Sequence, residues 1–172
     1  MEGRAIPKFA KDTTVSVATS QAEIERTLER YGADSFVRAW DGDKAIVGFR
    51  LKNRFMRFIL PLPSKESFRY VERTWRNESG GERAGQRRTD IQTNAHWEQA
   101  CRQRWRALNL VIKAKLEAVD AGISTIEDEF LANIVLPSGD TVSHWMHPQI
   151  EEAYRTGHMP PMLPMLGSGN GS

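Results

Sequence analysis

One stretch in the second half of the chain limits the fold more than any other. Trp97, Cys101, Trp105, Leu108, Ile112, Leu116 and Val119 recur at steps of three or four, which predicts a long helix from about Thr93 to Ala121 with one continuous apolar stripe. Asn94 is placed to cap its start and Gly122 to stop it. Such a stripe needs a partner surface. Off the stripe lie Arg102, Arg104, Arg106, Lys113 and Lys115.

The partner surface is predicted from a meander of three strands, Ser35 to Trp40, Lys44 to Leu51 and Arg54 to Leu62, joined by turns at Asp41-Gly42-Asp43 and Lys52-Asn53. A two-residue second turn pairs Leu51 with Arg54 and Gly48 with Arg57, and the first turn is expected to set Arg38 opposite Ile46. One face then collects Val37, Ala39, Ala45, Val47, Phe49, Leu51, Met56, Phe58 and Leu60, a core. The other collects aromatic and cationic groups: Phe36, Arg38, Trp40, Arg50, Phe55 and Arg57 among them. Before the meander, Thr13 to Ala18 reads as a strand, and Ser20 with Glu23 as a capping box opening a helix through Ile24, Leu28 and Tyr31 to Gly32.

The expected fold class is therefore α+β, a β-α-β-β-β antiparallel meander sheet packed on the long amphipathic helix, with a small C-terminal helical portion. In that last portion Ser124 and Glu127 suggest a second capping box, Thr141 to Met146 a short helix, and Pro148 the first turn of a final helix that Gly157 ends. Residues 1–12 read as a flexible N-terminus, 13–157 as a single domain and 158–172 as an extended or disordered tail. Within the domain a short amphipathic piece around Phe68, Val71 and Trp75 leads into a mobile basic loop at about 76–92, glycine-rich and without apolar period.

The net charge of +2 conceals a division. Residues 35–116 carry eighteen Lys/Arg against eight Asp/Glu, and residues 117–172 carry one against eight. A basic middle suggests an anionic partner, unless the two halves neutralise each other in the fold. The single cysteine, Cys101, excludes an internal disulfide and sits on the apolar stripe as a core residue. No apolar run reaches the roughly 20 residues of a membrane span and the N-terminus lacks a signal-peptide pattern, so a cytoplasmic protein that needs no membrane is expected.

The residues that could carry a function are cationic and aromatic. Single-stranded nucleic acid is held by cations along its backbone and rings under its bases, and Phe36, Arg38, Trp40, Arg50, Phe55 and Arg57 would supply both on one sheet face. Arg69, Arg73, Arg76, Arg83, Arg87 and Arg88 in and around the basic loop, with Arg102 and Arg106 on the long helix, would extend the attraction to phosphate. The competing expectation is that the C-terminal helices cover that sheet face. Metal chemistry finds little: His144 and His147 are interrupted by Pro148, and His96 and Cys101 are poorly spaced. Neither a phosphate-binding glycine fingerprint nor a nucleophile elbow is present. Glu127, Asp128 and Glu129 would suit a magnesium-dependent nuclease, but first-turn acids on a helix are explained by its dipole. No cofactor, metal or catalytic residue is assigned.

Ala22-Glu23-Ile24-Glu25-Arg26-Thr27-Leu28, then Trp97 through Leu108, then Ile134-Val135-Leu136-Pro137 resembles a group of small proteins encoded by bacteriophages and prophages, over roughly residues 13–165. The resemblance implies a setting in the bacterial host cytoplasm, in phage DNA metabolism or counter-defence, and assigns no role to any position. The sequence thus leads to a non-enzymatic phage-type protein binding single-stranded DNA or RNA. The alternatives are a protein-protein effector, such as a phage inhibitor of a host defence system, contacting its partner through the acidic C-terminal third or the tail residues Met159, Met162, Leu163 and Met165, and a metal-dependent nuclease.

Overall fold

The computed structural model describes Ala10, residues 12–71 and residues 85–158. In chain order the elements are α1 (Val17–Arg30), β1 (Ser35–Asp41), β2 (Lys44–Leu51), β3 (Arg54–Pro61), a 3-10 turn at Lys65–Phe68, α2 (Asp90–Asp120), α3 (Ile126–Phe130), a 3-10 turn at Leu131–Asn133 and α4 (Val142–Thr156).

The long helix begins earlier than its apolar stripe because Thr89, not Asn94, closes its first turn. The Thr89 hydroxyl accepts from the Gln92 amide at 3.2 Å and Gln92 Oε1 accepts from the Thr89 amide at 2.9 Å. This reciprocal box satisfies two of the donors a helix start leaves open. Thr89→Ala should therefore cost about 1 kcal/mol in urea unfolding, with Thr89→Ser close to wild type.

The stripe buries as its spacing demands. Trp105, Leu108, Ile112 and Leu116 join Ile24 and Leu28 of α1 and Val47, Phe49, Leu51, Met56 and Phe58 of the sheet in one core, with Ile126 and Phe130 of α3 closing its C-terminal end. The result is an α+β domain in which a three-stranded antiparallel sheet of order β1-β2-β3 packs on the long helix. Cys101 is buried, and that burial, with Glu98 nearby, pushes its thiol pKa up. A raised thiol pKa means less thiolate, so Cys101 is a poor nucleophile.

Three local expectations are corrected. Thr13 to Ala18 forms no strand: Ser16 accepts from the Thr19 amide at 3.0 Å and starts α1 there, leaving residues 13–16 outside the sheet. Ser20, the expected cap, is instead a fully buried residue inside that helix. At the other end of the chain Thr141 caps α4, accepting from His144 at 3.3 Å, so one helix runs through Pro148 instead of restarting there. Gly157 does end it, at φ 71°.

A further correction moves side chains across the sheet. The β2–β3 register is as expected, Leu51 with Arg54 and Gly48 with Arg57. The β1–β2 turn, however, has two residues, not three: Asp41 pairs with Lys44, and Gly42 takes φ 57° at the first turn position. Arg38 consequently faces Val47, and Ala39 faces Ile46. A one-residue slip exchanges the faces of a strand. Phe36, Arg38 and Trp40 lie on the helix side, where Phe36 packs on the core and Arg38 donates to Gln21 of α1 at 2.8 Å. Val37 is outside, half exposed.

Candidate polyanion-binding groove

The expected aromatic-cationic sheet face is thus divided. Its outer side keeps Arg50, Phe55 and Arg57, together with Val37, Ile46 and Ile59. Arg50 is paired with Asp34 at 2.7 Å, which raises its pKa further. Phe55 lies over Gly48, where a β-carbon would stand 2.8 Å from the ring edge, and keeps 38 % exposure. Arg57 is half-buried, and its Nε is enclosed with no hydrogen-bond partner among the described residues. Trp40, on the helix side, projects at the strand end with 77 % exposure. Chain after Gly122 reaches the sheet along the open edge of β3: Val135 donates to the Phe55 carbonyl at 2.8 Å, and Asn133 Nδ2 to that of Arg57 at 3.3 Å. It does not bury the outer face, since Val37 and Ile59 remain half exposed.

The basic loop is described only at its base. Val71 donates to the Gln86 carbonyl and Gly85 to that of Val71, both at 2.9 Å, and Arg88 Nη1 reaches the carbonyls of Phe68 at 3.1 Å and Tyr70 at 3.0 Å. Arg88 therefore holds the base together, while Arg87 beside it is exposed. Arg73 and Arg76 lie outside the described residues.

A denser cluster of cations lies where α1 and α2 run side by side. Gln99 Nε2 donates to the Thr13 carbonyl at 3.0 Å, and further along both segments Arg106 meets Glu23, so the two helices run parallel. Their apolar sides face the sheet. Between their remaining sides is a groove of about 400 Å³, lined by Glu23, Arg26, Thr27 and Arg30 from α1 and by Arg106, Asn109, Leu110 and Lys113 from α2. Helical periodicity puts each set together, since residues three, four and seven apart share one face. Four cations surround one carboxylate.

That carboxylate is already engaged. Glu23 Oε2 accepts from Arg106 Nη1 at 2.5 Å and from Nδ2 of the buried Asn109 at 2.6 Å. Arg26, Arg30 and Lys113 have no acidic partner among the described residues: Arg26 donates to its own helix at the Ala22 carbonyl, and Arg30 stands over the Tyr31 ring. Arg102, one turn before Arg106, is held by Gln99 at 2.7 Å and lies 3.8 Å from Glu98. Most other close ion pairs of the described residues are local to a strand or a helix turn, so this groove keeps uncompensated positive charge.

Other candidate chemistry stays apart. Thr125 caps α3 by accepting from the Asp128 amide at 3.1 Å and lies 2.7 Å from Asp128 Oδ2, and Glu129 meets Lys115 at 3.4 Å, so the carboxylates of Asp128 and Glu129 are turned to different partners. His144 is exposed and 3.0 Å from Asp140. Among the described residues no group of three or more His, Cys, Asp or Glu is placed to hold a metal ion, and no helix is long and apolar enough to cross a membrane.

Fold and groove together define an α+β domain carrying a cationic cleft on its helix layer. No protein-family model matches the chain, and searches of curated proteins and of solved structures found no match. The groove was only partly legible beforehand. Arg102, Arg106 and Lys113 could be placed on the back of the long helix, and Glu23, Arg26 and Arg30 fall at helical spacing off the Ile24-Leu28 stripe, but their meeting depends on two helices lying parallel, which no local pattern encodes.

Proposed function

We propose that this protein is a non-enzymatic nucleic-acid-binding module that holds the phosphate backbone of a single strand in the groove between α1 and α2. The observation that carries the reading is the set of three cations there without an acidic partner among the described residues, Arg26, Arg30 and Lys113. Phosphate contacts need charge, reach and little else. A single strand suits the site better than a duplex, because its flexible backbone can follow a cationic groove along the two helices. Exposed Arg87 and the exposed rings Phe55 and Trp40 lie elsewhere on the surface and would meet a longer strand after it leaves the groove.

Fluorescence anisotropy with labelled single strands and duplexes tests this directly. Saturable binding of single strands that weakens steeply with salt is expected, and no binding of either at low salt removes the proposal.

A second reading, a protein-protein effector such as a phage inhibitor of a host defence system, is favoured by a different observation. α4 has no buried residue and exposes Trp145, Ile150 and Tyr154 from the acidic C-terminal third. An amphipathic helix left unburied is a common means of engaging a partner. Substituting Trp145 and Tyr154 should then abolish partner capture and leave nucleic-acid binding intact.

A further inference from the structure

The groove's acid has no place in simple phosphate attraction, and its geometry suggests what it does. Glu23 spends a single oxygen, Oε2, on both Arg106 and Asn109. Among the described residues no hydrogen bond reaches its other oxygen, Oε1. Two donors from α2 therefore fix the carboxylate in position and offset its charge, while one acceptor oxygen is left for something else. The side chain keeps 35 % exposure at the edge of the cleft, so that oxygen is within reach of a ligand. Arg26, one turn further along α1, and Lys113, across the groove, would hold phosphates on either side.

A ligand suited to this arrangement has anionic groups for the cations and a neutral hydrogen-bond donor between them for Glu23. Deoxyribose phosphate offers no such donor along its backbone. Ribose phosphate does, at every 2′-hydroxyl, and this hydroxyl is the group by which proteins distinguish RNA from DNA. We infer that Glu23, held by Arg106 and Asn109, accepts a ribose 2′-hydroxyl, so that the groove selects RNA over DNA.

The inference rests on the proposed function and can fail separately from it. The probes are one single-stranded sequence made as RNA, as DNA and as 2′-O-methyl RNA, each titrated into the full chain and into Glu23→Gln. Wild type should bind RNA roughly tenfold more tightly than the other two strands, as expected for a hydrogen bond to a charged acceptor. Glu23→Gln retains an acceptor for Asn109, and its effect is read as the RNA-to-DNA ratio, which should fall below about threefold, since a neutral amide accepts less strongly. The ratio is insensitive to the uniform gain in affinity that loss of a negative charge brings. Equal wild-type binding of RNA and DNA overturns the inference while the phosphate groove stands, as does a preference unchanged in Glu23→Gln. Absence of binding to all three strands overturns both. The 2′-O-methyl strand keeps the test independent of the variant's folding, because it removes the donor from the ligand and leaves the protein untouched.

Discussion

Phe130→Ala should lower the unfolding free energy by about 3–5 kcal/mol, the range for removing a fully buried ring and leaving the space empty. Phe130 is completely buried and meets Phe49 edge-on at 5.8 Å and Phe58 at 6.2 Å, while Lys115 Nζ lies 5.6 Å from its ring centre. These contacts join four elements: α3, the strands β2 and β3, and the far end of α2. α3 has only five residues in all and, beyond the ring itself, one other buried side chain, Ile126, so little else holds it against the core. Lys115 also donates to the Glu129 carbonyl, a tie formed only while α3 is docked. The expected loss is a large share of the stability of a small domain, typically about 5–15 kcal/mol. Urea unfolding followed by tryptophan fluorescence measures it; a loss below about 1 kcal/mol would mean that α3 is not part of the cooperative core. Phe130→Leu should recover much of the difference, because the cavity is then partly filled.

What the sequence conveyed depended on how strongly each segment was marked. The α2 stripe could be read residue by residue because seven apolar positions keep one period, and the β2–β3 pairing because both strands have one clearly apolar face and a tight turn between them. β1 had no such mark. Phe36 and Trp40 alternate with Val37 and Ala39, so apolar residues occur on both faces and hydrophobicity does not choose between registers; the turn decides, and Asp41-Gly42-Asp43 is compatible with loops of two or three residues. The two-residue solution places the larger Phe36 ring on the core and gives Arg38 an acceptor at Gln21 of α1. The same ambiguity affected the first segment. Thr13 to Val17 is rich in β-branched residues, yet an extended stretch before an N-cap has the same backbone as a strand, and Ser16 decided for the helix. The candidate site moved accordingly. Half of the expected sheet platform crossed to the helix side, and what remained outside, with Arg50 neutralised by Asp34, is more apolar than cationic.

The groove, by contrast, should account for most of the affinity for a strand, and the combined variant Arg26→Ala/Arg30→Ala/Lys113→Ala should show it. For single strands each neutralised phosphate contributes about −0.7 to the slope of log affinity against log salt, so three lost contacts should reduce the slope by about 2. Between 50 and 200 mM salt the wild-type affinity should consequently fall roughly twentyfold more than that of the variant, by the same relation. Arg50→Ala/Arg57→Ala is the matched comparison. It removes two cations from the opposite side of the sheet, and its salt slope should stay near wild type if the backbone lies between the helices. The substituted groove residues carry no core packing: Arg26, Arg30 and Lys113 are all exposed, whereas Ile24, Leu28 and Ile112 beside them hold the helices together. Loss of binding should therefore occur without loss of fold, which circular dichroism and the urea midpoint can verify. Arg106 is left unchanged for the same reason. Removing it would strip Glu23 of its partner at 2.5 Å and leave a carboxylate at the groove edge to repel phosphate, confusing a lost contact with a new repulsion. A triple variant whose slope matches wild type would exclude the groove, and a sheet-face variant that loses about 1.4 units of slope, the amount due to two contacts, would locate the strand on the outer face instead.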